Sequence, residues 1–304
     1  KTAEPAPTPA GTAPQSAPAT PPAVTPEDKA TAPQSMIQWD NIPVAHKIKI
    51  AIVIDDMGLN HPNSRRMVAM SRDLTLSYLP YSENLPQQTA EARDKGHELI
   101  VHVPMEPDNL AHNNPGPNAL LTTNTAEQNV ANLEKDLSQF DGYIGLNNHM
   151  GSKFTSDPEA LRPILAKVKE KGLWFLDSKT IGNSVAGQMA QQMSIPYVSR
   201  DVFLDNTESV PAVLAQLHQL EIVAKKKGYA VAIGHPHNAT ITALQQWIPE
   251  AQKHGIELVP LSAVIAERYP SAPVPQYAQL HRESKIEPAA GLAAAAHQPS
   301  PAVN

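Results

Sequence analysis

Ile48-Lys49-Ile50-Ala51-Ile52-Val53-Ile54 leads directly into Asp55-Asp56, so a mostly apolar, β-branched run ends in two carboxylates. A run of this kind reads as a strand buried on both faces, the sort found in parallel sheets covered by helices. Met57-Gly58 and Asn60-His61-Pro62 then break it. Carboxylates at the carboxyl end of such a strand sit where α/β folds gather their chemistry. Two adjacent carboxylates also repel unless a cation or a shared proton separates them. A solvated Asp-Asp turn accounts for the same residues, so the pair gains meaning only from what lies at the other strand ends.

Further runs of strand length occur at Leu74-Leu79, Glu98-Val103, Tyr143-Asn147, Leu173-Leu176, Tyr197-Phe203, Ala230-Ile233 and Ile256-Pro260. Helix-period segments lie between most of them. Ala126-Leu137 has apolar positions on one face and Thr125 as its cap, and Pro158-Lys171 follows the cap signal Ser156-Asp157. Lys171-Gly172 and Lys227-Gly228 read as helix stops, a cation and a glycine at the negative end of the dipole. Regular alternation of strand and helix predicts a parallel sheet. About eight strands in roughly 220 residues suit an α/β fold, a single β/α barrel that is incomplete or distorted, with an open doubly wound sheet as the alternative.

Composition sets the limits of that domain. Ten of the 30 prolines fall before residue 45, among Ala, Thr, Ser and Gln. Such a segment buries too little apolar area to offset its ordering entropy. Residues 1–46 are therefore expected to be a disordered tether, 47–268 the folded domain, and 269–304 a second disordered Pro/Ala-rich tail. The net charge of -6 and pI of about 6.1 argue against a nucleic-acid partner. No stretch approaches the roughly 20 apolar residues of a membrane span. Cysteine is absent, so any metal must be held by histidine and carboxylate. A signal segment already removed, and hence a periplasmic or secreted location, is the expectation from the missing initiator methionine and the tether.

Polar groups recur at the strand ends: His102 and Glu106; Asn147-Asn148-His149-Met150-Gly151-Ser152; Asp177-Ser178; Arg200-Asp201 and Asp205-Asn206; Gly234-His235-Pro236-His237-Asn238. In a barrel these ends converge on one face. Each alone has an ordinary explanation: a hydrogen-bonded structural histidine, a His-Pro-His turn, a surface ion pair. Five such ends on one face argue for a site. His46, His61, His112, His218, His254, His281 and His297 lack that placement.

With these residues in view, the chain resembles a known family. Ile52-Val53-Ile54-Asp55-Asp56-Met57-Gly58 is similar to the T-F-D-D-G motif of carbohydrate-esterase polysaccharide deacetylases, and Gly96-His97-Glu98-Leu99 through His102 to their G-H-E-I-x-N-H segment. Together with the polar ends at Asn147-Ser152, Leu176-Ser178 and Ile233-His237, it most resembles the divergent polysaccharide deacetylases of YibQ type, related to NodB-like enzymes, over residues 47 to 265. The resemblance implies a distorted seven- or eight-stranded β/α barrel, a divalent metal, usually zinc, and hydrolysis of an N- or O-acetyl group on a polysaccharide or peptidoglycan-like glycan. It implies Asp55 as base, Asp56 as metal ligand, His102 as first metal histidine, His235 as acid and Asp177 as the carboxylate orienting it. The family's second metal histidine is replaced here by Glu106. Either Glu106 ligates or another residue supplies the imidazole, and His149 is the favoured one. Arg200 stands in for a missing family arginine that tunes the base, and His237 competes with His235. Three functions remain open: a metal-dependent deacetylase, a catalytically degenerate glycan-binding or scaffolding protein, and a different metal hydrolase.

Overall fold

The computed structural model describes residues 48–272. The expected tail at 1–46 lies outside them, as does the expected tail at 269–304 except for residues 269–272, which are described and hydrogen-bonded back to α8 and its end. Nine strands, all parallel, alternate with helices in chain order: β1 Ile48–Met57, α1 His61–Val68, β2 Thr75–Tyr78, α2 Leu85–Asp94, β3 Glu98–Met105, α3 Ala126–Leu137, β4 Tyr143–Met150, α4 Pro158–Glu170, β5 Trp174–Asp177, α5 Ala186–Gln192, β6 Tyr197–Ser199, β7 Val202–Phe203, α6 Val210–Lys227, β8 Tyr229–Gly234, α7 Asn238–Lys253, β9 Ile256–Leu258 and α8 Leu261–Arg268. The helix signals hold in detail. Thr125 and Gln128 form a reciprocal capping box on α3, Asp157 caps α4, and Gly228 ends α6 in the left-handed conformation.

The strands run in the order β6-β5-β4-β3-β2-β1-β8-β7, with β9 added against the start of β1. The two ends of this order, β6 and β7, are separated in the chain by only Arg200 and Asp201. Arg200 N–H donates to the Asp177 carbonyl at the end of β5, and Asp201 N–H donates to Val231 in β8. Consecutive residues thus dock on opposite edges, and the sheet curls into a distorted β/α barrel closed by the chain itself. The expected sixth strand, Tyr197-Phe203, is split at this seam because one strand cannot pair with both edges at once.

Alternation along β1 separates two cores. Ile50, Ile52 and Ile54 belong to the outer layer beneath the helices. Ala51 and Val53 join Ile100, Ile144, Trp174, Leu176, Val198, Val231 and Ile233 inside the curl, together with Leu261, Val264 and Ile265 of α8. Each such side chain, fully buried, contributes about 1.5–3 kcal/mol. Trp174 is core, as its position in a strand predicts. Glu98 lies at the amino ends of the strands, where its Oε1 accepts from Thr75 Oγ1 and from Ser262 N–H in the first turn of α8. The ring nitrogens of His97 face the Leu74 and Val68 carbonyls. Of the Gly96–His102 motif, only His102 reaches the opposite end of the barrel.

Candidate metal centre and active site

Two irregularities turn the polar residues inward. In a regular strand, neighbours point to opposite faces, so Asp55 would face inside and Asp56 would face the helices. Pairing between β1 and β2 shifts between Ile54 and Met57, and Asp56 has φ 54°. This bulge in the left-handed region brings the second carboxylate round to the side of the first. A second register shift lies between β3 and β4, where Leu99 pairs with Tyr143 but Val101 with Leu146. A Cβ at Gly145 would sit 2.4 Å from the Trp174 carbonyl oxygen, so glycine is required there. Beyond this shift Asn147 and His149 face inward.

Asp56 Oδ1, His102 Nε2 and His149 Nδ1 form a near-equilateral triangle, with sides of 3.3, 3.0 and 3.2 Å. Asp56 Oδ1 is buried yet satisfies hydrogen-bond geometry with neither ring, nor with any other described group. Three lone-pair-bearing atoms thus aim at one point. Ligand atoms around a tetrahedral zinc-class ion, with bonds of about 2.0 Å, are spaced about 3.3 Å apart, so the residues fit such an ion. These three form a candidate metal triad. Burial penalises the Asp56 carboxylate, but the imidazoles of His102 and His149 closing on it hold its pKa far below the ordinary range.

Asn147 organises the inner wall. Its Nδ2 donates to both oxygens of Asp55 at 2.9 and 3.0 Å, and its Oδ1 accepts from Ser77 Oγ at 2.7 Å. The carboxylate requires the amide nitrogen on its side, which leaves Oδ1 facing His102 Nδ1 at 2.8 Å. His102 therefore carries its proton on Nδ1 and turns a free Nε2 toward the triangle. Asp55 is buried, with Oδ2 3.5 Å from His102 Nε2. Burial raises its pKa, against the opposing pull of His102, His235 and Asn147.

On the other side His235 Nε2 lies 4.0 Å from Asp56 Oδ2. Its Nδ1 is held at 2.9 Å by Asp205, whose other oxygen accepts from His235 N–H and Thr240 Oγ1. Burial alone would lower the His235 pKa, but Asp205, with help from Asp55 and Asp56, carries it up to about 9. Asp205 is the correction to the expectation for Asp177. The Asp177 carboxylate instead accepts from Lys179 N–H at 2.9 Å and Ser184 Oγ at 3.0 Å, shaping the turn after β5. The reason is sheet order: β7 lies next to β8 in a register pairing Phe203 with Ile233, which sets residue 205 opposite residue 235.

Glu106 does not join the triangle. Its Oε1 is paired with Lys153 Nζ at 2.8 Å, while Oε2 accepts from Thr122 N–H and Oγ1, tying down the segment after β3. The second imidazole of the triangle is that of His149. Arg200 lines the cleft, but its Nε and Nη2 donate to the Ser178 and Lys179 carbonyls, each at 2.7 Å, and the group holding Asp55 is Asn147. His237 is partly exposed, 3.5 Å from Glu208, and is not placed for the role of His235. Asn147 and Asp205 are the residues whose roles sequence reasoning missed. Both were visible as polar strand ends, but only the sheet register reveals their partners. The triangle, Asp55 and His235 open together onto a cleft of about 650 Å³.

Among known proteins, the chain is 33% identical over 200 residues to the uncharacterized protein YibQ of Escherichia coli K12, covering 66% of this chain and 62% of that protein. It therefore spans less than two thirds of that relative's length. A second relative, an uncharacterized protein of Haemophilus influenzae Rd, is 34% identical over 197 residues, covering 65% of this chain and 70% of its own. The crystal structure of an uncharacterized protein from Agrobacterium tumefaciens C58 superposes with a TM-score of 0.71 at 30% identity, covering 75% of this chain and 93% of that one. Residues 52–265 match the family model described as divergent polysaccharide deacetylase, and the chain belongs to that family.

Proposed function

We propose that the protein is a metal-dependent hydrolase that removes acetyl groups from an envelope or extracellular polysaccharide, with a zinc-class ion held by Asp56, His102 and His149. The observation that carries this reading is the triangle of convergent ligand atoms flanked by one buried carboxylate and one carboxylate-bound imidazole. A bound divalent ion supplies Lewis acidity, which polarises an acetyl carbonyl and makes water nucleophilic near neutral pH. Asp55, oriented by Asn147, takes the proton of the attacking water. His235 is protonated at neutral pH, with its pKa up at about 9, and delivers a proton from Nε2 to the departing amine or alkoxide. Asp205 fixes the ring so that Nε2 faces the cleft.

The degenerate, glycan-binding alternative was motivated by Glu106 in the place of a metal histidine. Convergence of His149 supplies the imidazole and favours the hydrolase. A periplasmic or secreted site of action follows from the choice of substrate and belongs to the same proposal. No helix among the described residues is long and apolar enough to cross a membrane. The test is acetate release from acetylated chito-oligosaccharides or peptidoglycan fragments by zinc-loaded protein, with Asp55→Asn keeping the ion and losing the activity. A stoichiometric ion with no acetate from any acetylated glycan would overturn the hydrolase reading.

A further inference from the structure

The cleft has a second wall that the chemistry above does not use. It is built at the seam of the barrel, from the turn after β5 and the residues between β6 and β7. Arg200 is half-buried here and stacks over Phe203 at 5.0 Å, yet among the described residues it makes no ion pair. Its Nε and Nη2 are each committed to one carbonyl, leaving the rest of its donor fork without a described partner. Beside it stands Lys179, exposed, held at φ 48° by the Asp177 side chain, its ammonium unpaired among the described residues. Asp201, the nearest acid in the chain, is already neutralised by Lys227 at 2.9 and 3.1 Å. Asp177 and Asp55 act on the guanidinium through space, and Asp177 also feels Lys179, but neither cation is bonded to a described carboxylate.

The guanidinium N–H donors that the two carbonyls leave over, and the Lys179 ammonium beside them, stand at the cleft and are free to meet an anionic group of a ligand. Two carbonyls fix the guanidinium plane, and a planar fork of N–H donors matches a carboxylate. We propose that the substrate is an acidic glycan, whose sugar carboxylate is held by Arg200 and Lys179 while its acetyl group lies at the metal triad. This rests on the deacetylase reading and narrows it to acetylated sugars that carry a carboxylate. The amides of Asn206, Gln216 and Gln219, which line the same cleft, face the remaining sugar hydroxyls.

The test compares an O-acetylated oligouronide with neutral acetylated chito-oligosaccharide, by acetate release and by equilibrium binding. Wild type is expected to favour the acidic substrate about tenfold or more in kcat/KM, as a charge-assisted contact supplies. Arg200→Gln and Lys179→Gln should each erase most of that preference through KM, Lys179→Gln with turnover of the neutral substrate nearly unchanged, and raised salt should weaken it in wild type. Lys179→Gln guards against misfolding, because its exposed side chain makes no hydrogen bond or ion pair among the described residues. Equal loss on both substrates in both variants, or no preference in wild type, would overturn the proposal. If neither substrate yields acetate, the deacetylase reading fails separately. Binding then decides the anionic site: oligouronide retained by wild type and lost in both variants supports it, and equal weak binding of both glycans refutes it.

Discussion

Replacing Asp205 by Asn isolates the contact that sets the state of His235. In the native site the imidazole is partly buried at the cleft, and its pKa stands at about 9 against an ordinary 6.5, with Asp205 the strongest of the groups raising it. A difference of about 2.5 pH units corresponds to about 3 kcal/mol between protonated and neutral imidazole. Asn keeps the shape but not the charge, so the metal-free variant should titrate near or below 6.5. The same linkage governs stability. A histidine raised in the folded state contributes stability that is fully present below pH 6.5 and is lost as pH rises through 9. Wild type should therefore lose up to about 3 kcal/mol between pH 6 and 9.5 through this group, and the variant should lack that component. Histidine NMR titration and urea denaturation at both pH values measure the two effects. A His235 resonance that still titrates near 9 in Asp205→Asn would refute the reasoning, as would an unchanged difference in stability.

Single replacement of Asp56, His102 or His149 by Ala should abolish stoichiometric zinc binding measured by elemental analysis, and retained metal in all three would dismantle the triad. Asp136 is buried in the last turn of α3, with Oδ2 unpaired, and burial pushes its pKa up to about 7. A raised carboxylate favours the folded state only while protonated, so stability falls as pH rises from about 4 to 7. Asp136→Asn should remove that fall and stabilise the protein at pH 8 by up to about 4 kcal/mol, read by urea denaturation. Gly145→Ala forces a methyl against the Trp174 carbonyl, and should lower stability by about 1–3 kcal/mol while weakening zinc binding through displaced His149. Unchanged zinc affinity in that variant would show that the bulge does not position the ligand.

Much of the fold was legible because its signals are local. Continuous β-branched runs announce strands buried on both faces, and Thr125, Asp157 and Gly228 announce helix ends by satisfying nearby backbone groups. His102, His149 and His235 could be nominated because polar groups after apolar strands gather on one barrel face. Their partners could not be named. Asp177 ends β5 and Asp205 follows shortly after β7, and sequence spacing does not distinguish which of them neighbours β8. Glu106 occupies a family ligand position, but Lys153 and Thr122 draw it to the wall, and the first is 47 residues away.

The amino-acid sequence by itself determined the alternation of strands and helices, the barrel class and the pool of carboxylates and imidazoles at its rim, because those follow from local burial pattern and backbone propensity. Tertiary structure alone decided which of them meet. A left-handed residue at Asp56 and a glycine-dependent slip at Gly145 rotate two strand ends inward. The register between β7 and β8 selects Asp205 for His235. The seam at Arg200-Asp201, where consecutive amides bond to opposite edges of the sheet, sets a carbonyl-anchored guanidinium on the wall of the cleft. Facing, register and closure arise from strands distant in the chain competing for the same hydrogen bonds and the same interior, and no local pattern encodes them.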